Sequence, residues 1–497
     1  MLHIRVVKTK GPSRSVQVYR YQNGKRVIVK HMGSGSSDEQ IKALRSMAKV
    51  YIADHTKQTS LFEGETPDEK DVLLSQCTYI GAYHTFLYDV IRAVQHQMGY
   101  TLLVDTLLSD LALMRIVEPA SKLRSIELMA TYFGVHHRRQ RFYESVPGWL
   151  ALKNRIERQT LGFAKKQYQF DFSLVFYDVT TLYFEAFKSD GLRKTGFSKD
   201  GKAQQPQILV ALMVTPEGLP VGHHVFPGNT FEGHTLIPVI TDLIRKHRAK
   251  HFTVVADAAM TSTNNIDALL EEGIHYIVGA RLGNVSSELF AQIDGALPRE
   301  DGSTIRLKTD KGFLICSFSK KRYSKDRHEM EKQIARAKVL MQQPSKIKKA
   351  KYIKTHNSEA TLNEELIVKT KKLLGVKGYY TDIEAKVADN KTIIGRYHEL
   401  YRVEQAFRVS KSDLRARPIF HFKEPSIQLH IPICFMALAI SKHIEIKTGL
   451  SIRAFLTRCK KITDARLINQ INNKEVIMRS PVPDQLKKII GKIGLPH

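Results

Sequence analysis

Few residues in this chain have the types and spacing that chemistry needs. VFYDVTTLYFE, residues 175–185, sets Asp178 directly behind an apolar run, and FTVVADAA, residues 252–259, does the same for Asp257. If the two runs are neighbouring strands of one sheet, both carboxylates emerge on one side at its centre. Bare carboxylates so placed repel, and one pKa rises unless a divalent cation keeps both ionised. Mg²⁺ suits such a site because it binds few protein ligands, keeps several waters and takes substrate phosphate oxygens for the rest. Taken singly, an Asp after a strand is more often a helix N-cap or turn former. The pair is the stronger signal.

A third ligand is offered by RYHELYRVEQAFRVSKSDLRARP, residues 396–418. On a helix Tyr397, Tyr401, Glu404, Arg408 and Lys411 fall at i, i+4, i+7, i+11 and i+14, one continuous face. That face mixes aromatic, acidic and basic groups where a structural helix would carry leucines. Its plain alternative is a surface helix with an i, i+4 ion pair between Glu404 and Arg408. Among other acidic residues, Glu185 lies at the far end of the next apolar run and should point away. Asn229-x2-Glu232 reads as a capping box ahead of a helix. His223, His224 and His234 lack a fourth partner at zinc-ligand spacing.

The elements that must position these groups can be sketched. Residues 15–33 alternate around Asn23-Gly24, the pattern of a hairpin closed by a type I′ turn. GSGSS, residues 33–37, leads into a helix from about 38, and 56–70 reads as a loop. From 72 to 165 the periodicity is helical, and helices ending before Pro119 and at Gly134, followed by HHRRQR (136–141), fit a helix-turn-helix and equally a helical bundle with a solvated basic face. Between 172 and 280 short apolar runs at 172–177, 180–185, 207–214, 251–256 and 275–280 alternate with helices near 234–248 and 263–272. Three strands followed by helix, strand, helix, strand predict an antiparallel meander joined to βαβ crossovers, compatible with a ribonuclease H-like mixed sheet. Residues 285–375 break the pattern and read as an insertion, whose Lys346, Lys348, Lys349, Lys351 and Lys354 could track phosphates. VKGYYTDI, residues 376–383, returns to the sheet or its edge, and the chain is helical from 390.

The bulk composition fits a nucleic-acid partner. Lys and Arg number 77 against 49 Asp and Glu, a net charge of +28 and a pI near 9.8, and each phosphate neutralised by such a cation releases a condensed counterion. The four cysteines have no CxxC spacing, which suggests neither a zinc ribbon nor a disulfide framework and fits a reducing compartment. The N-terminal MLHIRVVKTK lacks the apolar core of a signal segment. No run reaches the ~18 apolar residues of a membrane span; IPICFMALAI, 431–440, reads as a buried helix. A soluble, cytoplasmic protein without membrane partners is expected.

Asp178, Asp257 and Glu404 in that order, with Glu404 inside Y-x2-L-x3-E-x6-K (Tyr397, Leu400, Glu404, Lys411), resemble the DDE transposases of bacterial insertion sequences. The chain is most similar to the group with the signature Y-x2-R-x3-E-x6-K and a β-rich insertion ahead of the catalytic Glu; GNTFEGHT, 228–235, resembles that group's GN-x2-E element. The resemblance covers roughly residues 100–445. Leu400 stands where the signature has Arg, leaving Arg402 or Arg408 to replace that phosphate contact. The resemblance implies an α/β ribonuclease H-like core, two Mg²⁺ or Mn²⁺ ions on Asp178, Asp257 and Glu404, and DNA contacts from Tyr397, Arg408 and Lys411. It implies binding to terminal inverted repeats and target DNA, strand cleavage followed by strand transfer, and a homodimer on paired ends. Domains are expected at 1–37 (β-hairpin element), 38–165 (helical DNA-binding region), 166–284 with 376–445 (catalytic core), 285–375 (insertion) and 446–497 (C-terminal helices). Two other readings share these residues: a ribonuclease H-like nuclease or resolvase without strand transfer, and a transposase-derived DNA-binding protein that has lost its chemistry.

Overall fold

The computed structural model describes residues 2–9, 11–56, 77–185, 187–198, 201–202, 204–247, 252–342, 351–356, 359–470 and 473–495. The predicted loop at 56–70 lies almost wholly outside them, as do Lys346, Lys348 and Lys349. Two compact units divide the chain, one made of residues 1–89, 130–135 and 457–487, the other of the remainder.

In the first unit, β1 (Leu2–Lys8), β2 (Arg14–Gln22) and β3 (Lys25–Gly35) form an antiparallel sheet in that order. Asn23 and Gly24 sit at φ 52° and 72°, the double positive φ that a type I′ turn demands. The strand β1 was not foreseen; its LHIRVVK has no turn residue of its own to mark it. Val16, Val18 and Met32 of the sheet bury against Ile41, Leu44 and Ala48 of the helix Asp38–Thr56. A further strand of this unit, β4 (Cys77–Tyr83), opens a second sheet.

The second unit carries the large sheet. Its strands are β5 (Leu174–Tyr183), β6 (Gln207–Val214), β7 (Pro220–Pro227), β8 (Thr253–Ala256), β9 (His275–Ala280), β10 (Thr304–Thr309), β11 (Gly312–Phe318) and β14 (Val376–Thr381), in the order β10-β11-β14-β9-β8-β5-β6-β7. Pairs β5-β6 and β6-β7 are antiparallel, β5-β8 and β8-β9 parallel. Helices Leu236–His247 and Thr263–Glu271 make the crossovers that parallel pairing requires. This is a mixed sheet of the ribonuclease H-like class.

Three expectations are corrected. FSLVFY and TTLYFE are not two strands but one: β5 runs unbroken through Asp178 because β6 pairs with it from Phe176 to Tyr183. The third antiparallel strand is instead β7, PVGHHVFP. The return expected at 376, to the sheet or its edge, is to the sheet itself. β14 lies inside the sheet, and β10 and β11 from the supposed insertion extend it by two strands through β11-β14 pairing. The rest of that segment, the helix Lys320–Met341, the hairpin β12 (Ile353–His356) with β13 (Glu359–Leu362), and the helix Glu364–Lys372, closes a small core around Met330, Tyr352 and Ile367.

The helix Glu424–Thr448 packs Ile427, Ile431 and Cys434 against Leu182, Ile208 and Val210 of the sheet. It is long and apolar enough to cross a membrane by length and composition, but 94% of its apolar window is buried within the protein. Residues 431–440 are thus part of a core helix, apolar all round because every side is covered. The helices Thr106–Val117 and Lys122–Phe133 exist, but the first is buried from Leu107 to Val117. The second turns Ser125, Ile126, Leu128 and Met129 inward. Of the adjacent cations, Arg139 pairs with Glu127, and His137 with Asp110 at 2.7 Å. The outer face of the second helix keeps Arg124 and Thr131 exposed. Finally β15 (Asp464–Asn469) and β16 (Glu475–Arg479) complete the second sheet of the first unit, in the order β16-β15-β4.

Candidate active site

β8 ends at Ala256, which pairs with Tyr177 of β5. Asp178 and Asp257, the next residue of each strand, therefore stand side by side where a central strand stops and its neighbour continues. Strands lie about 4.8 Å apart in a sheet, so the topology alone brings the two carboxylates together. Asp178 is half-buried in mid-strand and accepts a hydrogen bond from the Val179 amide at 2.7 Å. Asp257 is exposed, caps the 3₁₀ turn Ala258–Met260 and accepts from the Ala258 amide at 2.6 Å. It thus also plays the capping part that its position allows on simpler grounds.

Glu404 comes from the far end of the chain. The face from Tyr397 to Lys411 is not one helix: Asn390–His398 ends at Glu399, Tyr401–Arg408 comes next, and Val409–Asp413 is a π turn. Buried Val403, Ala406 and Phe407 anchor the middle segment and leave Tyr401, Glu404 and Arg408 outward. A cleft of about 570 Å³ is lined by Asp257, Gly279, Arg322, Lys377, Tyr397 and Glu404. A hollow of about 380 Å³ is lined by Asp178, Thr180, Glu404, Arg408, Lys411 and Arg417. Glu404 is the carboxylate that borders both, and it makes no ion pair with Arg408.

The electrostatics agree with this convergence. Burial pushes the Tyr397 phenol well above its ordinary pKa, and the charges of Asp257, Glu404 and Asp178 add to the effect. Lys377 is held below its usual value by burial and by Arg322, while Asp257 and Glu404 act in the opposite sense. Its ammonium lies 4.7 Å from the Tyr397 ring centre.

All six residues expected at the site therefore line one or other hollow. Three cations were missed: Lys377, Arg322 and Arg417. Lys377 had a signal, a lone charge in the otherwise apolar strand VKGYYT; Arg322 had none, standing among many cations of a basic helix. Of the two candidates to replace an arginine at 400, Arg408 lines the second hollow. Arg402 instead lies over the Tyr401 ring at 4.9 Å, and Leu400 is buried. Phe231 stands at the N-cap of the turn Glu232–His234, and Thr235 Oγ1 donates to the Glu232 carbonyl. His223 pairs with Glu157 and His224 with Asp242. Glu185 lies exposed past the end of β5.

An all-oxygen set of three carboxylates suits a hard divalent cation. As the side chains stand, no three acidic, His or Cys residues among those described are close enough to enclose an ion. The set fits Mg²⁺ by donor type and by placement around the cleft, and is not closed in advance.

Fold and site together define a mixed-sheet enzyme core with a carboxylate-lined cleft at its centre. Residues 169–440 match the family described as Transposase DDE domain. The chain belongs to that family and is a DNA transposase. Among solved structures it is similar to a piggyBac transposase synaptic complex with hairpin DNA (TM-score 0.36, 11% identity, 93% of this chain and 84% of that one). It is also similar to a Mos1 transposase paired-end complex with the left transposon end (TM-score 0.16, 11% identity, 47% and 66%). No curated protein matches the chain.

Proposed function

We propose that the chain is the transposase of a bacterial insertion sequence, of the group with a tyrosine-to-lysine signature around its catalytic glutamate, acting in the cytoplasm on nucleoid DNA. Asp178, Asp257 and Glu404 hold its divalent cations, Mg²⁺ or Mn²⁺. One observation carries the reading: the β5-β8 register sets two aspartates side by side, and the cleft beside Asp257 and the hollow beside Asp178 share Glu404.

Divalent ions at such a site polarise phosphoryl oxygens and lower the pKa of water. The protein's own residues bind and orient. Arg408 and Lys411 hold backbone phosphates from the side of Asp178, Lys377 and Arg322 from the side of Asp257. Tyr397, kept protonated by burial and by the carboxylates, donates a hydrogen bond to a phosphate oxygen. Water attacks the phosphodiester at the element's end, one P–O bond forms, and the bond to the 3′ oxygen breaks to leave a 3′-OH. That hydroxyl attacks a target phosphodiester and releases the target's own 3′ oxygen, so each step makes one P–O bond and breaks one. Terminal inverted repeats are the DNA ends bound, and two copies of the chain pair them as a homodimer.

The test is cleavage of a duplex carrying the DNA that borders the coding region, with Mg²⁺. A nick exposing a 3′-OH, abolished by EDTA and by Asp178→Asn, Asp257→Asn or Glu404→Gln, is expected. Thermal melting adds a readout independent of turnover: Mg²⁺ should stabilise the parent and not the aspartate variants. Equal cutting by Asp178→Ala would overturn the assignment.

A further inference from the structure

Among the described residues, the sheet of β1, β2 and β3 closes only one of its faces with a helix. Cross-strand partners share a face, and the registers put His3, Tyr19 and Ile28 in one row, Arg5 and Gln17 in the next, and Tyr21 beside Arg26 on the side away from the helix. The side chains are ordered by each other. His3 and Tyr19 stand 5.5 Å apart between ring centres, Tyr19 and Tyr21 5.7 Å at 78°. Arg26 lies 5.7 Å over the Tyr19 ring and donates from Nε to the Tyr21 hydroxyl at 3.1 Å; Arg5 donates to Gln17 Oε1 at 2.9 Å. Tyr21 is 54% and Ile28 50% exposed. The first 37 residues contain eight Lys or Arg and no Asp or Glu.

We propose that this face is a duplex-DNA-binding surface, with the β2-β3 ribbon entering the major groove and Arg5, Tyr19, Tyr21 and Arg26 making the contacts. The groove, about 12 Å wide, admits a two-stranded ribbon, and strands have served as groove readers in several unrelated proteins. A second copy of the chain is a poor occupant, since it would set like charges against each other. Single-stranded nucleic acid is also disfavoured: bases stack on open ring faces, and here the tyrosines meet edge to face with Arg26 over both. The side chains instead form a preorganised polar and cationic layer.

The inference rests on DNA being the partner and not on the carboxylate chemistry, so binding is measured in EDTA, where failure to cut has no bearing. Full-length parent and the triple variant Arg5→Ser, Tyr19→Ser, Arg26→Ser are titrated against a fluorescent random-sequence duplex. The Kd should rise at least about 30-fold, and the slope of log Kd against log salt should fall by about two, one per arginine lost. Hydrogen exchange on the parent, which no folding defect of the variant can confuse, should show the amides of residues 14–35 slowed by the duplex. Unchanged affinity with no such protection overturns the proposal. So does a triple variant that keeps its affinity but loses self-association, or a single strand that competes as well as the duplex.

Discussion

Asp178 and Asp257 are each the first residue past a cross-strand register pair, Tyr177 with Ala256, and their strands diverge only beyond it: β5 continues and β8 turns into a 3₁₀ helix. Residues that share one task lose it together, so single and combined losses should be far from additive. Asp178→Asn and Asp257→Asn are each expected to lower Mg²⁺-dependent cleavage by about 10³-fold or more, and the double variant should be no worse than either. Single-turnover rates on one substrate decide it. Multiplying defects would mean that the two carboxylates act apart.

That pair was legible in the sequence because an acid behind an apolar run is a local pattern, and so was the mixed sheet implied by five apolar runs and two helices. The illegible parts depended on partners distant in sequence. Nothing local distinguishes TTLYFE as the continuation of β5; only its pairing with β6 through Tyr183 makes it so. β10 and β11 look like strands of an independent insertion until β11 pairs with β14. The break at Glu399 and Leu400 left the 397–411 face intact as a lining because the buried side, Val403 and Phe407, keeps its period.

Lys377 and Arg322 bring positive charge to the side of the cleft that holds Asp257 and Glu404. Each phosphate contact removed should shallow the salt dependence of end binding by about one. Lys377→Met and Arg322→Met are predicted to weaken binding of an end-carrying duplex about tenfold each, equivalent to ~1.4 kcal/mol, with the loss in KM and little change in kcat. Because Lys377 is a largely desolvated cation crowded by Arg322, its replacement should not lower the melting temperature. Titrations at several salt concentrations supply the slope; an unchanged slope would exclude phosphate contact.

Gly279 of β9 is where Tyr397 comes closest. A Cβ there would lie 2.6 Å from the Tyr397 hydroxyl and 3.2 Å from the Ala258 amide nitrogen. Gly279→Ala should cost about 1–3 kcal/mol by overpacking and displace the residues beside Asp257. A misplacement of about 1 Å can cost 10²-fold in rate, so activity should fall further than stability. Tyr397→Phe removes the clashing oxygen, and the double variant is expected to regain much of the melting temperature but not the activity. If stability is not regained, the contact is not the cause.

Glu157, on the helix Lys153–Tyr168, is buried against β7. Its carboxylate accepts from the His223 amide at 2.9 Å and faces the His223 ring at 3.0 Å and the Lys246 ammonium at 3.6 Å. Burial alone would raise its pKa, but His223 and Lys153 outweigh it and hold the group at about 2 against an ordinary 4.5. A carboxyl whose folded pKa is depressed stabilises the fold above its unfolded pKa and loses that contribution as pH falls towards the folded one. The window is therefore pH 4.5 down to about 2. Glu157→Gln should melt well below the parent at pH 7, and the gap should close steadily as the pH is lowered through that window. Melting curves of both proteins across it give the answer: a gap that stays constant in acid would mean that packing, not charge, accounts for what Glu157 contributes.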